Sequence, residues 1–397
     1  MKLISRTHYL QRLIDVIGTP DIKIITGIRR SGKSKLLLAL KDYIMQSDAS
    51  ANIIHIDFNA IAAEPLAEYH ALHNYITEHR IEGVNNYVLI DEVQTCQGFE
   101  KAINSLHSSE LYDIYITGSN AFLMSSDLAT LFTGRTIEIE VFPFSFEEFC
   151  IYYEYSDLQT ALDEYVVKGG MSGAYTLRSE SDKRNYVYDV FTTLIVRDVK
   201  QKYNIRNPLV LEKVSEFLMD NISNISSLRN ITETLNKNGI KVDDKTVGKY
   251  VKHLCQAFLF YPIKRFDIKG MRYLATQDKY YLADHSFRYA LLGTRNMDFG
   301  RVYENIVAIE LLRRGYEVYA GYLYNKEIDF VAIKQSEKIY IQVSDNISAE
   351  KTFEREVNSL LKIKDAYPKM LIARTRHMEY DYQGIRIIDL PTWLLNR

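Results

Sequence analysis

Eight consecutive residues, Gly27-Ile28-Arg29-Arg30-Ser31-Gly32-Lys33-Ser34, match the phosphate-gripping spacing G-x-x-x-x-G-K-[ST] without a mismatch. The residue types are those a polyphosphate site needs. Gly27 and Gly32 let the backbone wrap so that its N–H groups converge on anionic oxygens, and Lys33 is long enough to reach terminal phosphates. The Ser34 hydroxyl can ligate magnesium. Ile28, Arg29, Arg30 and Ser31 supply the remaining loop backbone, and Lys35 follows at the mouth of the loop. Downstream, Asp91-Glu92 closes the apolar run Tyr87-Val88-Leu89-Ile90. An aspartate there can hold the water shell of the metal beside the loop, and Glu92 is placed to polarise an attacking water. Asn120, or else Thr117, follows the run Ile114-Tyr115-Ile116 and could sense a γ-phosphate, with a plain helix cap at Asn120 as the weaker alternative. Arg135 could stabilise transition-state charge, in its own subunit or in a neighbour, or simply pair with Glu138, Glu140 or Glu147.

Such groups work only if secondary structure aims them. The loop must leave a strand and open a helix, so that the positive end of the helix dipole faces the phosphates. Ile22, Ile24 and Ile25 supply a β-branched run before the loop, and Leu36, Leu37, Leu40 and Ile44 recur at helical spacing after it. A further strand is expected over Ile53–Phe58, then a helix from about Leu66 to His79. The continuous apolar character of Tyr87–Ile90 is that of a parallel strand buried on both faces. These features predict an α/β fold with a parallel P-loop sheet.

The rest of the composition narrows the class. The 397 residues suggest two or three domains, and the net charge of −2 excludes a global basic field, so any nucleic-acid site must be a local patch. Cys96, Cys150 and Cys255 lie far apart and form no CxxC pair, which argues against a disulfide framework and a zinc site. His70, His73 and His79 read as a solvated helix face. The first eighteen residues are amphipathic without a continuous apolar core, and no run approaches membrane-spanning length; a cytoplasmic protein without a membrane partner is expected.

With the phosphate loop, Leu89-Ile90-Asp91-Glu92-Val93-Gln94, Ile116-Thr117-Gly118-Ser119-Asn120, Thr133-Gly134-Arg135 and Phe142-Pro143-Phe144-Ser145-Phe146-Glu147-Glu148-Phe149 together, the chain resembles a bacterial and archaeal family of P-loop ATPases of the AAA+ superfamily. Those proteins carry a C-terminal domain of unknown function, and the likeness covers essentially the whole chain. It implies ATP and Mg2+ as ligands, and an added strand between the P-loop strand and the Asp91 strand.

Four segments are expected: an ATPase domain over 1–145, a helical lid or linker over 146–205, a winged-helix domain over 206–297 and a C-terminal domain over 298–397. Three helices and a hairpin after Pro208 are the plan of a winged helix. The third helix sets Lys245, Lys249 and Lys252 opposite an apolar face of Val247, Val251 and Leu254, as a DNA-reading helix would, with Lys264 and Arg265 in the wing. An ordinary solvated face reads the same way. The C-terminal segment resembles the restriction-endonuclease-like α/β fold. Glu304, Asp329 and Gln342 match its acid positions and could hold a second metal with Glu327, whereas Ser344 stands where that pattern has lysine. A lysine there would orient water or stabilise the scissile phosphate, and Lys338 is the nearest substitute in sequence. A degenerate domain used for binding or assembly is therefore expected.

The expected activity is magnesium-dependent ATP hydrolysis coupled to the winged-helix and C-terminal modules. The alternatives are a slow nucleotide switch or scaffold, and an ATP-dependent nuclease. Expected partners are ATP, double-stranded DNA, and a protein partner or further copies of the chain.

Overall fold

The computed structural model describes residues 4–118, 132, 134–293, 298–324 and 326–395, apart from the side chains of 195–197, 201 and 272–276. Two compact units divide the chain, the first ending at Pro143 and the second beginning at Phe144.

The first unit is a five-stranded sheet with the order β2-β3-β4-β1-β5. Its strands are β1 (Ile22–Thr26), β2 (Asn52–Asp57), β3 (Asn86–Asp91), β4 (Asp113–Thr117) and β5 (Thr136–Glu140). Every pairing is parallel. Helices α1 (Thr7–Ile14), α2 (Lys33–Ser47), α3 (Tyr69–Glu78) and α4 (Phe99–Ser108) accompany it. Side chains alternate across a strand, so each strand feeds two cores. Ile22 and Ile24, Val88 and Ile90, and Ile114 and Ile116 enter one core with α3 and α4. Ile25, Tyr87, Leu89 and Tyr115 enter the other with α1 and α2. Each fully buried aliphatic side chain contributes about 1.5–3 kcal/mol, enough to hold the strand ends that carry the loops in fixed places. The expected inserted strand is β4, which lies between β1 and β3.

The second unit opens with helices α5 (Phe146–Tyr153), α6 (Leu158–Lys168) and α7 (Glu180–Thr193). Ser145 caps α5 through a reciprocal pair, in which its hydroxyl accepts from the Glu148 N–H and the Glu148 carboxylate accepts from the Ser145 N–H. The Ser-x-x-Glu spacing of that family motif is thus a folding signal. The glycine cluster after α6 marks a close approach of backbones: a Cβ on Gly170 would lie 2.3 Å from the Phe144 carbonyl oxygen, and the Gly170 N–H donates to Asp284 Oδ2 at 2.6 Å.

Next come α8 (Pro208–Asp220), β6 (Ile225–Ser226), α9 (Leu228–Lys237), α10 (Asp244–Gln256), β7 (Phe260–Asp267), β8 (Arg272–Leu282), α11 (Ser286–Leu292) and α12 (Phe299–Arg313). The chain ends with β9 (Glu317–Leu323), β10 (Lys326–Lys334), β11 (Glu337–Ser344), α13 (Glu350–Leu361), β12 (Lys369–Ala373), β13 (Tyr380–Tyr382), β14 (Ile385–Asp389) and α14 (Leu390–Leu395). One nine-stranded mixed sheet runs through all of these strands in the order β13-β14-β12-β11-β10-β9-β7-β8-β6. Hairpin and C-terminal strands are joined where β7 pairs in parallel with β9, Arg265 opposite Ala320 and Asp267 opposite Tyr322. No described helix is long and apolar enough to cross a membrane.

Candidate active site

The phosphate loop connects the buried strand β1 to the first turn of α2. Gly27 has φ of 125° and Gly32 φ of 99°, both in the region that side chains other than glycine rarely enter. Gly27 has a second constraint: a Cβ there would sit 2.1 Å from the Val141 carbonyl oxygen. Gly32 occupies the cap position of α2 and offers no side-chain cap, so the first amides of this helix, including those of Lys33 and Ser34, have no intrahelical acceptor. Amides left in that state, at the positive end of a helix, suit an anion. Lys33 is buried, and its ammonium donates to the Gly27 carbonyl at 2.8 Å and the Ile28 carbonyl at 3.1 Å. The Ser31 hydroxyl is buried without a hydrogen-bond partner. Ser34 is half-buried, Ile28 buried, Arg29 half-buried, and Arg30 and Lys35 are exposed.

At the end of β3, Asp91 is buried and Glu92 half-buried. Thr117, at the end of the inserted strand, unites them. Its hydroxyl donates to Asp91 Oδ1 and accepts from the Glu92 N–H at 3.3 Å. Glu92 has φ of 56°, a left-handed conformation for a non-glycine residue, and its carboxylate accepts from Gln94 Nε2 at 2.5 Å. The backbone therefore turns sharply at the residue expected to face water, and the neighbouring strand holds that turn. The Asp91 carboxylate and the Ser34 hydroxyl are hard oxygen donors of the kind that suits Mg2+. Replacing Thr117 by valine keeps the shape and removes the shared hydroxyl. The expected result is a loss of about 1–3 kcal/mol in urea unfolding, because a buried carboxylate loses its donor, together with a lower kcat at nearly unchanged nucleotide affinity. An unaltered kcat would reduce Thr117 to a structural part.

Two of the expected catalytic residues fare differently. Asn120 lies outside the described residues. Arg135 corrects one expectation: it is exposed at the start of β5, where Thr136 lies opposite Ile22, the first residue of β1. The phosphate loop leaves β1 at the other end, about 20 Å away along the strands at 3.3 Å per residue. Arg135 therefore cannot reach the loop of its own chain.

Arg6 is a residue that sequence reading missed. The residue is 8% exposed, and its guanidinium donates to the Ser31 carbonyl at 2.7 Å and to the Phe142 carbonyl at 2.9 Å. No motif announces it, since the contacts span 25 and 136 residues of chain.

In the second unit Glu304, Asp329 and Gln342 do come together, but round an ammonium group. Lys279 of β8, 2% exposed, lies 2.8 Å from Glu304 Oε1 and 4.0 Å from Asp329 Oδ1, and also pairs with Glu327. The Tyr281 hydroxyl donates to Glu304 Oε1 at 2.6 Å, the Val343 N–H donates to Asp329 Oδ2 at 2.8 Å, and the Gln342 carbonyl oxygen accepts from the Asp329 N–H at 3.4 Å. Burial raises the carboxyls of Glu304 and Asp329 above their ordinary range, while Lys279 pulls them back. The same three acids raise the Lys279 ammonium against the opposing effect of its burial. Among the described residues no group of three or more acidic, histidine or cysteine side chains is arranged to hold a metal ion. Lys338 does not reach inward either: it lies 3.5 Å from Asp365 and 4.3 Å from the Tyr367 ring. Ser344 donates to the Asn346 carbonyl at 3.3 Å.

Lys245, Lys249 and Lys252 are exposed on α10, behind buried Val247, Val251 and Leu254, and Lys264 is exposed on β7. Arg265 is half-buried, stacked 4.7 Å from the Tyr322 ring and bonded to Gln277 at 3.2 Å.

Comparison with known proteins fits this geometry. Residues 19–150 match a family model described as "AAA domain", and residues 159–298 match one described as "Domain of unknown function (DUF8612)". An uncharacterized protein of Haemophilus influenzae is 38% identical over 400 residues, covering 99% of this chain and 99% of its own. The chain belongs to the family of that Haemophilus protein, and its residues 19–150 are an AAA domain. A second similar protein, an uncharacterized protein of Methanocaldococcus jannaschii, is 26% identical over 387 residues, 92% of this chain and 84% of its own. Solved structures that match include AMPPCP-bound DnaA from Aquifex aeolicus, at 15% identity over 64% of this chain and 90% of that one with a TM-score of 0.31. The S. cerevisiae Hsp104:casein complex in its extended conformation matches at 16% identity over 67% and 52%, again with a TM-score of 0.31. These TM-scores are too low to bear on the fold, which rests on the strand order and the AAA-domain match.

Proposed function

We propose that the protein is a magnesium-dependent ATPase whose nucleotide cycle acts through the second unit. The observation that carries this reading is the Thr117 hydroxyl joining Asp91 to the Glu92 backbone, on the strand next to the one that feeds the uncapped phosphate-loop helix. Binding of a charged ligand needs only the loop; a metal-holding aspartate and a fixed adjoining glutamate add what hydrolysis requires. Lys33 exchanges the Gly27 and Ile28 carbonyls for β- and γ-phosphate oxygens. Ser34 and Asp91 would hold Mg2+, which would supply neutralising charge to the phosphates. Glu92 orients the attacking water and takes its proton, and Asn120 or Thr117 senses the γ-phosphate. Arg135, exposed and remote from its own loop, is assigned to the loop of a neighbouring copy in a homo-oligomer.

The test is binding and turnover of ATP with Mg2+ by the full chain. Wild type should bind and hydrolyse. Lys33→Ala should weaken binding about tenfold to a hundredfold, the value of one hydrogen bond to a charged group at about 1.5–3 kcal/mol. Binding that ignores the substitution removes the ATPase reading, and binding without turnover leaves the slow switch.

In the second unit, α8, α9, α10 and the β7–β8 hairpin support a winged-helix reading. One observation favours double-stranded DNA as a partner: Lys245, Lys249 and Lys252 project from one helix and none of them makes an ion pair among the described residues. Changing all three to glutamate should abolish binding to a DNA duplex and remove up to about three units of slope from its dependence on log salt, at roughly 0.9 per phosphate contact. Unchanged binding would end the DNA reading. For residues 298–397 we favour a restriction-endonuclease-like scaffold without cleavage, supported by the Lys279 ammonium among its acids.

A further inference from the structure

We propose that Arg6 is a positioning residue that couples the phosphate loop to the peptide by which the chain leaves the first unit, so that nucleotide occupancy is felt at residues 141–145. The inference rests on the ATP reading and adds its route of transmission.

The contacts run from the loop to the exit peptide. One guanidinium donates to the Ser31 carbonyl, near the end of the phosphate loop, and to the Phe142 carbonyl, one residue before Pro143 closes the unit. Its central carbon lies 4.5 Å from the centre of the Tyr9 ring, and the Tyr9 hydroxyl accepts from the Phe142 N–H at 3.3 Å. Phe142 is therefore held by both of its backbone polar groups from the N-terminal turn. At its other end the loop presses on the same peptide, because Gly27 leaves no space for even a Cβ against the Val141 carbonyl, and the Val141 N–H donates to the Thr26 carbonyl at 2.9 Å. The loop is thus tied to 141–142 at its first residue by packing and near its last by Arg6.

Occupancy changes this set. Lys33 now bonds the Gly27 and Ile28 carbonyls, and reaching a phosphate requires it to let both go. A loop that resettles round phosphate moves the Ser31 carbonyl, and a rigid fork with two acceptors carries that displacement to Phe142. Lysine could not do the same, since a point donor on a flexible stem lacks the fixed spacing between two N–H groups.

The experiment is backbone hydrogen exchange of the full chain with and without Mg-ATP, in wild type, Arg6→Gln and Arg6→Lys. Protection over residues 27–36 reports nucleotide binding itself, and its absence in wild type refutes the ATP reading rather than the coupling. In wild type ATP should also change exchange at residues 141, 142, 144 and 145 by at least about fivefold. In both variants the change over 27–36 should persist while the change at 141–145 is lost. Arg6→Lys keeps the charge and most of the volume, so it decides the matter if Arg6→Gln does not fold. A wild-type response confined to 27–36, or a response at 141–145 that survives in Arg6→Lys, overturns the proposal.

Discussion

Exchanging Glu92 for glutamine should leave ATP bound and stop its turnover, lowering kcat by about 10²–10⁴-fold, the usual worth of a positioned general base. Glutamine has the same shape and still accepts a hydrogen bond, but it cannot take a proton from water. The setting makes the substitution clean. The left-handed backbone at Glu92 is held by its N–H bond to Thr117, and the carboxylate of Asp91 belongs to a different residue with its own donor. Neither depends on the Glu92 carboxyl. Phosphate release measures kcat and a fluorescent ATP analogue measures affinity. A variant that hydrolyses ATP as fast as wild type would remove Glu92 from the chemistry. A variant that no longer binds would make it part of the nucleotide site.

The second large effect is expected far from the phosphate loop. Lys279→Met fills nearly the same space and removes the buried ammonium that pairs with Glu304, Glu327 and Asp329. Breaking a buried ion pair by deleting one partner costs about 3–5 kcal/mol, because the remaining charge stays buried without compensation. The loss should be visible as a lower urea midpoint of the second unit. Its pH dependence has a definite sign. Glu304 and Asp329 already lie above their ordinary values of 4.5 and 3.8, chiefly through burial, and removing the lysine raises them further. A carboxyl raised on folding favours the folded state below its unfolded value and loses that advantage as pH rises through its folded value. The deficit of Lys279→Met should therefore be smaller near pH 4 than at pH 8, and adding Asp329→Asn should recover part of it at pH 8. A midpoint equal to wild type at both pH values would mean that the cluster contributes nothing.

These expectations locate what the sequence made readable. The phosphate loop and Asp91-Glu92 were legible because each couples a local motif to a local strand, and a buried parallel strand announces itself by a continuous apolar run. The place of β4 between β1 and β3 came from the family resemblance, since strand order is a long-range fact that no local spacing encodes. Arg135 shows the same limit. Its place just before a strand was legible, but not that this strand pairs with β1 so that Thr136 lies opposite Ile22, at the end away from the loop. Lys279 was hidden by alternation. It lies in a hairpin strand 25 residues before Glu304, inside a run that reads as a wing, while the missing lysine was sought two residues after Gln342. Only the pairing of the hairpin with the C-terminal strands brings that ammonium to those acids.

The ladder between β7 and β9 bears on how the polypeptide can be cut. A fragment ending at residue 298 would keep the hairpin and discard its neighbour, baring a row of backbone amides and carbonyls that invites self-association. It would also strand Lys279 without Glu304, Glu327 and Asp329. A gene split between 143 and 144 severs no sheet, so that is where soluble halves should be sought.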